Sequence, residues 1–197
     1  MMRSSLTVAV AVALALAALC GCAASPKSDF YTLSPAAPQT GNPPAAPIAV
    51  LIGVVTVPDL VDRPQIVVRS GDNKVDIDEF ARWADPLKSQ IPRVISADLG
   101  QLLNSALVST YPVGGDPASA YRVQLDIQRF DAALGDAVTV DVLWSVAPPA
   151  KKPPLSGRST VHEPCTGAGF DAVVAAYSRA LGTVSRDIAT AIRPASP

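Results

Sequence analysis

The 197-residue chain is poor in the residues that carry chemistry. It has one histidine and three cysteines, and aromatic residues make up 5 % of it. Neither sign of charge dominates: 16 Lys and Arg stand against 17 Asp and Glu, a formal net charge of -1. Without a cationic excess there is no polybasic surface of the kind that binds nucleic acid. A single histidine, His162, leaves no His-Glu-x-x-His zinc helix, and no Gly-x-Ser-x-Gly turn occurs. What is abundant is apolar residues, at 49 %, which excludes a wholly disordered chain. Proline is also in excess: 19 residues, about twice average usage. The length suits one ordinary domain with an appendage, and no internal repeat is present.

The apolar residues are unevenly spread. Arg3 precedes a run from Leu6 to Leu19 that is apolar except for Thr7. As a helix this run spans about 21 Å, short of a bilayer core of about 30 Å. It therefore reads as a secretory signal peptide. The run ends in Leu19-Cys20-Gly21-Cys22, which resembles the lipobox of bacterial lipoproteins. That resemblance implies a diacylglyceryl group on the Cys22 thiol, cleavage before Cys22 and acylation of its new amine. Cys20 is the alternative acceptor, with Leu19 in the place where a small residue is wanted. Two or more acyl chains anchor a protein stably where one does not. Ala23 follows rather than Asp, which among bacterial lipoproteins points to the inner leaflet of the outer membrane, facing the periplasm. With Cys20 removed and Cys22 capped by lipid, only Cys165 remains free. No intramolecular disulfide is then available, and burial of Cys165 is the expectation. No cofactor other than this covalent lipid is expected.

Composition divides the chain into a signal peptide at 1–21, a lipidated cysteine with a Pro-rich tether at 22–47, and a domain at 48–197. Residues 34–47 hold five prolines and no large apolar side chain, and extended they span roughly 40 Å. Before them, Phe30-Tyr31-Thr32-Leu33 suits a short edge strand. Ile48 to Val57 is almost unbroken apolar and predicts a strand buried on both faces. Ile66 to Arg69 and Lys74 to Asp78 predict a hairpin across Ser70-Gly71-Asp72-Asn73. Helical spacing runs from Asp85 to Leu107, with Asp85 as N-cap, Pro86 at the first helical position and a bend or break expected at Pro92. Tyr121 to Gln128 alternates strictly, then slips phase at Arg129-Phe130, which predicts a bulge. Val138 to Val146 alternates as a second half-buried strand, with Trp144 on its apolar phase. Leu155 to His162 suits one more strand. Phe170 to Ile192 carries an apolar stripe over six turns and predicts a closing helix. Together these elements predict an α/β sandwich: a single mixed, mostly antiparallel sheet with two long helices packed on one face.

Three stretches together resemble the PqiC (YmbA) family of auxiliary lipoproteins of ABC-type and intermembrane transport systems. These are Phe30-Tyr31-Thr32-Leu33, the segment from Pro58 to Val67 with Arg69, and Phe80-Ala81-Arg82-Trp83-Ala84-Asp85-Pro86-Leu87. The resemblance implies a non-enzymatic accessory at the outer-membrane end of a lipid-transport system. Its implied partner is an MCE-domain tunnel protein, and it is compatible with ring-like self-association. It carries over no catalytic and no metal-binding residue. A periplasmic carrier holding an acyl chain itself is the alternative.

Candidate partner-binding residues are Asp62, Arg63, Pro64, Gln65, Arg69 and Trp83. Arg63 offers a planar fork to a carboxylate, either within the domain or on a partner. Pro64 stiffens the turn and biases Arg63 toward extended backbone. Trp83 suits either an interface anchor or packing against the sheet. His162, Glu163 and Cys165 are the one grouping with ligand or nucleophile chemistry. They lack a second histidine to complete a metal site and a third group to orient a Cys–His pair. Gly167-Ala168-Gly169 has no βαβ context and reads as a turn into the last helix.

Overall fold

The computed structural model describes residues 26–36, 48–112, 117–149 and 152–193. The signal segment, Cys20, Cys22 and Ala23 lie outside the described residues, as do residues 37–47. In chain order the elements are β1 (Asp29–Tyr31), β2 (Val50–Thr56), β3 (Gln65–Gly71), β4 (Lys74–Trp83), α1 (Leu87–Leu102), β5 (Val108–Ser109), a 3-10 turn (Pro117–Ser119), β6 (Tyr121–Ala132), β7 (Ala137–Ala147), β8 (Leu155–Pro164) and α2 (Gly169–Ile192).

The strands form two sheets, where the sequence predicted one. A three-stranded sheet has the order β1-β4-β3 and a five-stranded sheet the order β5-β2-β6-β7-β8. Nor is the pairing mostly antiparallel. β1 with β4, and β2 with both β5 and β6, run parallel. The hairpins β3–β4, β6–β7 and β7–β8 are antiparallel. Alternation along a strand reveals its two faces but not its neighbour, which is why the split into two sheets left no trace in the sequence.

The long strands follow their patterns. In β6, Val123, Leu125 and Ile127 turn inward, and the register shifts between Ile127 and Arg129, where the phase slip predicts a bulge. In β7, Val138, Val140, Val142 and Val146 share that inner face. Both helices cover it, α1 against β2 and β5, α2 against β7 and β8, and they pack on each other. The inner stripe of α2 includes Val173, Tyr177, Leu181, Val184 and Ile188, all buried. Gly167 and Gly169 have positive φ in the turn that starts this helix.

Three local expectations change. β2 is buried on one face only, because a shift between Ile52 and Val55 pushes Val54 outward. α1 begins at Leu87, with Pro86 in the N-cap position, so Asp85 lies one residue outside it. Asp85 instead pairs with Arg93 and accepts a bond from Gln90 Nε2 on its carbonyl. The helix continues through Pro92 and ends five residues short of Leu107. There Asn104 adopts φ 49°, and Ser105 Oγ donates to the Ile48 carbonyl at 2.7 Å, which leads the chain into β5 beside β2.

The N-terminal residues are fastened to the folded body. β1 pairs with the end of β4, and Leu33 is buried. Beyond it the backbone crosses both helices. Leu33 N–H donates to Gln90 Oε1 at 2.8 Å, Ser34 N–H to Ser178 Oγ at 3.1 Å and Ala36 N–H to Asp98 Oδ1 at 2.9 Å. Asp98 is itself buried between the helices and accepts a bond from Ser185 Oγ. These contacts place residues 29–36 on the domain, ahead of the boundary at 48 drawn from composition.

An aromatic cluster joins the two sheets. Phe130 on β6 stacks on Tyr177 of α2 at 3.9 Å and 2°, and Trp83 at the end of β4 packs on both at 6.4 and 6.2 Å. The Tyr177 hydroxyl donates to the Phe130 carbonyl at 3.0 Å, so its polar end is satisfied inside the core.

Candidate functional site

The inner face of the large sheet is filled by its own helices, so the outer face is the surface it presents. Charge on that face is organised as a lattice. Arg69 from β3 and Arg129 from β6 both bind Asp131 Oδ2, each at 2.9 Å. One step along, Arg158 forks onto Asp141, with Nε to Oδ1 at 2.8 Å and Nη2 to Oδ2, and Thr160 Oγ1 donates to the same carboxylate. Bidentate, charge-assisted bonding of this kind fixes both partners. The Arg158 guanidinium holds the Asp141 carboxyl below the usual range against the opposing effect of burial, with Thr160 and Arg129 assisting. Asp141 in turn raises Arg158.

Beside the lattice, toward the start of β6, lies an open groove of about 490 Å³. Val54, Thr56, Gln124, Asp126, Leu143 and Ser145 are among its walls. Val54 is 66 % and Leu143 41 % exposed. Each is there for a structural reason: Val54 sits in the β2 irregularity, and Leu143 falls on the wet phase of β7. Thr56 donates to Asp126 across β2 and β6 on the rim. Beneath one end, the Trp144 ring lies so close to Gly157 that a Cβ there would come within 2.2 Å of it. Trp144 Nε1 donates to Ser159 Oγ, which donates to Asp187 Oδ2 on α2, so this wall is braced from behind. The groove thus presents apolar side chains rimmed by polar ones.

The structure places most of the sequence-derived candidates in one loop and its surroundings. Asp62, Arg63 and Pro64 form the turn that leads into β3 at Gln65. Asp62 pairs with Lys88 in the first turn of α1 and raises that ammonium group. The Pro64 carbonyl accepts the Trp83 N–H at 2.7 Å, and Gln65 Nε2 donates to Glu79 Oε2 at 3.2 Å. Arg63 Nε is buried and meets no acceptor among the described residues. Arg69 stands apart at the far end of β3, in the charge lattice. Trp83 is 5 % exposed and belongs to the aromatic cluster, so its ring forms core and not a surface anchor.

His162, Glu163 and Cys165 do not converge. His162 Nδ1 contacts Thr139 Oγ1 on the outer face, whereas Glu163 binds Arg179 of α2 at 2.7 Å. Cys165 is partly buried, and burial raises its thiol pKa, offset in part by Arg179 and reinforced by Asp136. Among the described residues no group of three His, Cys, Asp or Glu side chains is gathered as for a metal ion. Sequence reasoning missed the groove and the lattice. Asp141 and Leu143, wet-phase residues between inward valines, were the available signal for β7; nothing in the pattern marked Val54.

Residues 31–189 match the family model described as the ABC-type transport auxiliary lipoprotein component. No curated protein sequence matches the chain. Solved structures that share the fold include two of low sequence identity. One, a crystal structure of an uncharacterized protein, superposes with a TM-score of 0.71 at 18 % identity, covering 85 % of this chain and 100 % of that one. The other, a protein from Xanthomonas campestris, gives 0.64 at 20 % identity, covering 81 % and 92 %. Among the described residues no helix is long and apolar enough to cross a membrane. The family match spans both sheets and nearly all of both helices, and the chain belongs to the ABC-type transport auxiliary lipoprotein family, the family its motifs resemble.

Proposed function

We propose that this chain is a non-catalytic accessory of an MCE-type lipid-transport system, anchored by lipid on Cys22 to the periplasmic face of the outer membrane. The family match over 31–189 carries the reading, because it describes an auxiliary lipoprotein of ABC-type transport. The lipobox ending in Cys22 and the Ala23 that follows support the anchor and its destination. The outer groove is where the MCE tunnel protein docks.

A pull-down from envelope extracts with the tagged lipoprotein tests this. It is expected to recover an MCE protein, and Leu143→Asp in the groove is expected to reduce that recovery while secretion and folding persist. Recovery of unrelated partners alone sinks the docking role. The carrier alternative places an acyl chain between sheet and helices, where Leu99, Leu181, Val184 and Ile188 already fill the space. A phospholipid retained by the delipidated Cys22→Ala chain in native mass spectrometry would favour it instead.

A further inference from the structure

The small sheet carries a strip of exposed apolar side chains whose position the anchor explains. Phe30 on β1 is 65 % exposed, Phe80 on β4 is 44 % and Ile77 on β4 is 39 %. Phe30 is the register partner of Arg82, so Phe80 lies two residues along the adjacent strand and Ile77 three further on. Large apolar side chains grouped this way on a soluble face mark a contact. Phe80 owes its exposure to an irregularity in β4. Gln65 pairs with Arg82 but Val67 with Ile77, so the segment between has extra residues, and Asp78 Oδ1 accepts the amides of Phe80 and Ala81 at 2.8 and 2.7 Å. The bulge is thus held in place and aims an aromatic residue outward.

Chain direction supplies the occupant. β1 runs parallel to β4, with Asp29 opposite Ala81, so the backbone reaches Asp29 from the side of Phe80 and Ile77. Cys22 is seven residues before Asp29. At no more than about 3.6 Å per residue, that reach is roughly 25 Å. The Pro-rich segment adds nothing to it, because that segment follows the β1 strap, not the anchor. A lipid on Cys22 therefore holds this end of the domain near the bilayer.

We infer that Phe30, Phe80 and Ile77 form a second membrane contact, seated in the headgroup region of the leaflet that holds Cys22. The inference rests on the proposed Cys22 anchor. Aromatic side chains favour that interfacial depth. Charge does not drive the contact: Lys27, Lys74 and Arg82 are matched by Asp29, Asp76, Asp78 and Glu79, and Lys74 and Arg82 pair with acids of their own strand. The strip consequently orients an anchored protein and does not recruit a free one.

The test uses the full acylated lipoprotein in phosphatidylethanolamine–phosphatidylglycerol vesicles containing brominated phospholipid. Single cysteines at Phe30, Phe80 and, as a distant control, Leu155 are labelled with an environment-sensitive fluorophore on a Cys165→Ser background. Labels at 30 and 80 are expected to be quenched by about half, as for side chains about 5–10 Å into the headgroup boundary, and the label at 155 to be unaffected. The Cys22→Ala chain is expected not to sediment with the same vesicles. Intact mass reports acylation separately. An acylated protein with no quenching at 30 and 80, or equal quenching at 155, overturns the orientation alone. A chain without acyl groups on Cys22 overturns the anchor and the orientation that depends on it.

Discussion

The two faces of the large sheet obey different rules although they share the same strands. Inward, Val123, Leu125, Ile127, Val140 and Val142 meet α1 and α2 with almost no surface left to water. Outward, the alternate residues of the same strands carry Arg129, Asp131, Asp141 and Arg158, interrupted by the apolar groove at Val54 and Leu143. Hydrophobic burial holds the inner face, and it is non-directional and large. Ion pairs hold the outer face, and they fix geometry more than they add stability. Stability therefore resides on the inner side, and substitutions on the outer side can test the proposed docking face without unfolding the protein.

The largest effect belongs to the inner face. Leu181→Ala is expected to lower unfolding free energy by about 2–5 kcal/mol, measured by urea denaturation, with docking intact while the protein is folded. Gly157→Ala comes next. The new methyl collides with the Trp144 ring, and overpacking of this kind costs about 1–3 kcal/mol, with a change in Trp144 fluorescence as the local reporter.

Asp141→Asn reaches the outer face and acts through pH. The folded carboxyl lies below its ordinary value of 3.8, so its stabilisation is present above that value and is lost as pH falls through the lower folded value. The variant is expected to be less stable near neutral pH and to lose less stability on acidification than the parent, measured by urea unfolding at about pH 7 and about pH 3. An unchanged acid limb would show that the Arg158–Asp141 pair contributes no stability. Leu143→Ser should be the smallest change in stability, within about 0.5 kcal/mol, while partner recovery falls. If it destabilised the protein as much as Leu181→Ala, the division between the faces would fail.

Much of this contrast was legible in the sequence because period-2 alternation writes both faces of a strand at once. The inward valines of β7 were assigned correctly by that rule, as were the β6 bulge and the stripe of α2, whereas Asp141, on the wet phase, is buried under Arg158. What escaped has a common cause. The pairing of β1 with β4, the two-residue β5 and the ejection of Val54 are set by neighbours distant in the chain, and a local pattern cannot encode them. Arg69 and Arg63 fall in the same resemblance-bearing stretch, yet the length of β3 separates them. Asp98 was passed over because its polarity broke an apolar stripe, and its partners, Ala36 and Ser185, come from both ends of the chain.

The order of the elements in the chain has a consequence for when the protein can fold. β2 waits for β5 and β6, which arrive some 50 to 70 residues later, and the inner face of β7 waits for α2, the final 24-residue helix. Tyr177, Leu181 and Ile188 complete the core only once α2 itself has been made. Pairings of such long range are slow to form. A growing chain therefore keeps the inner face of its large sheet open until α2 is available to cover it.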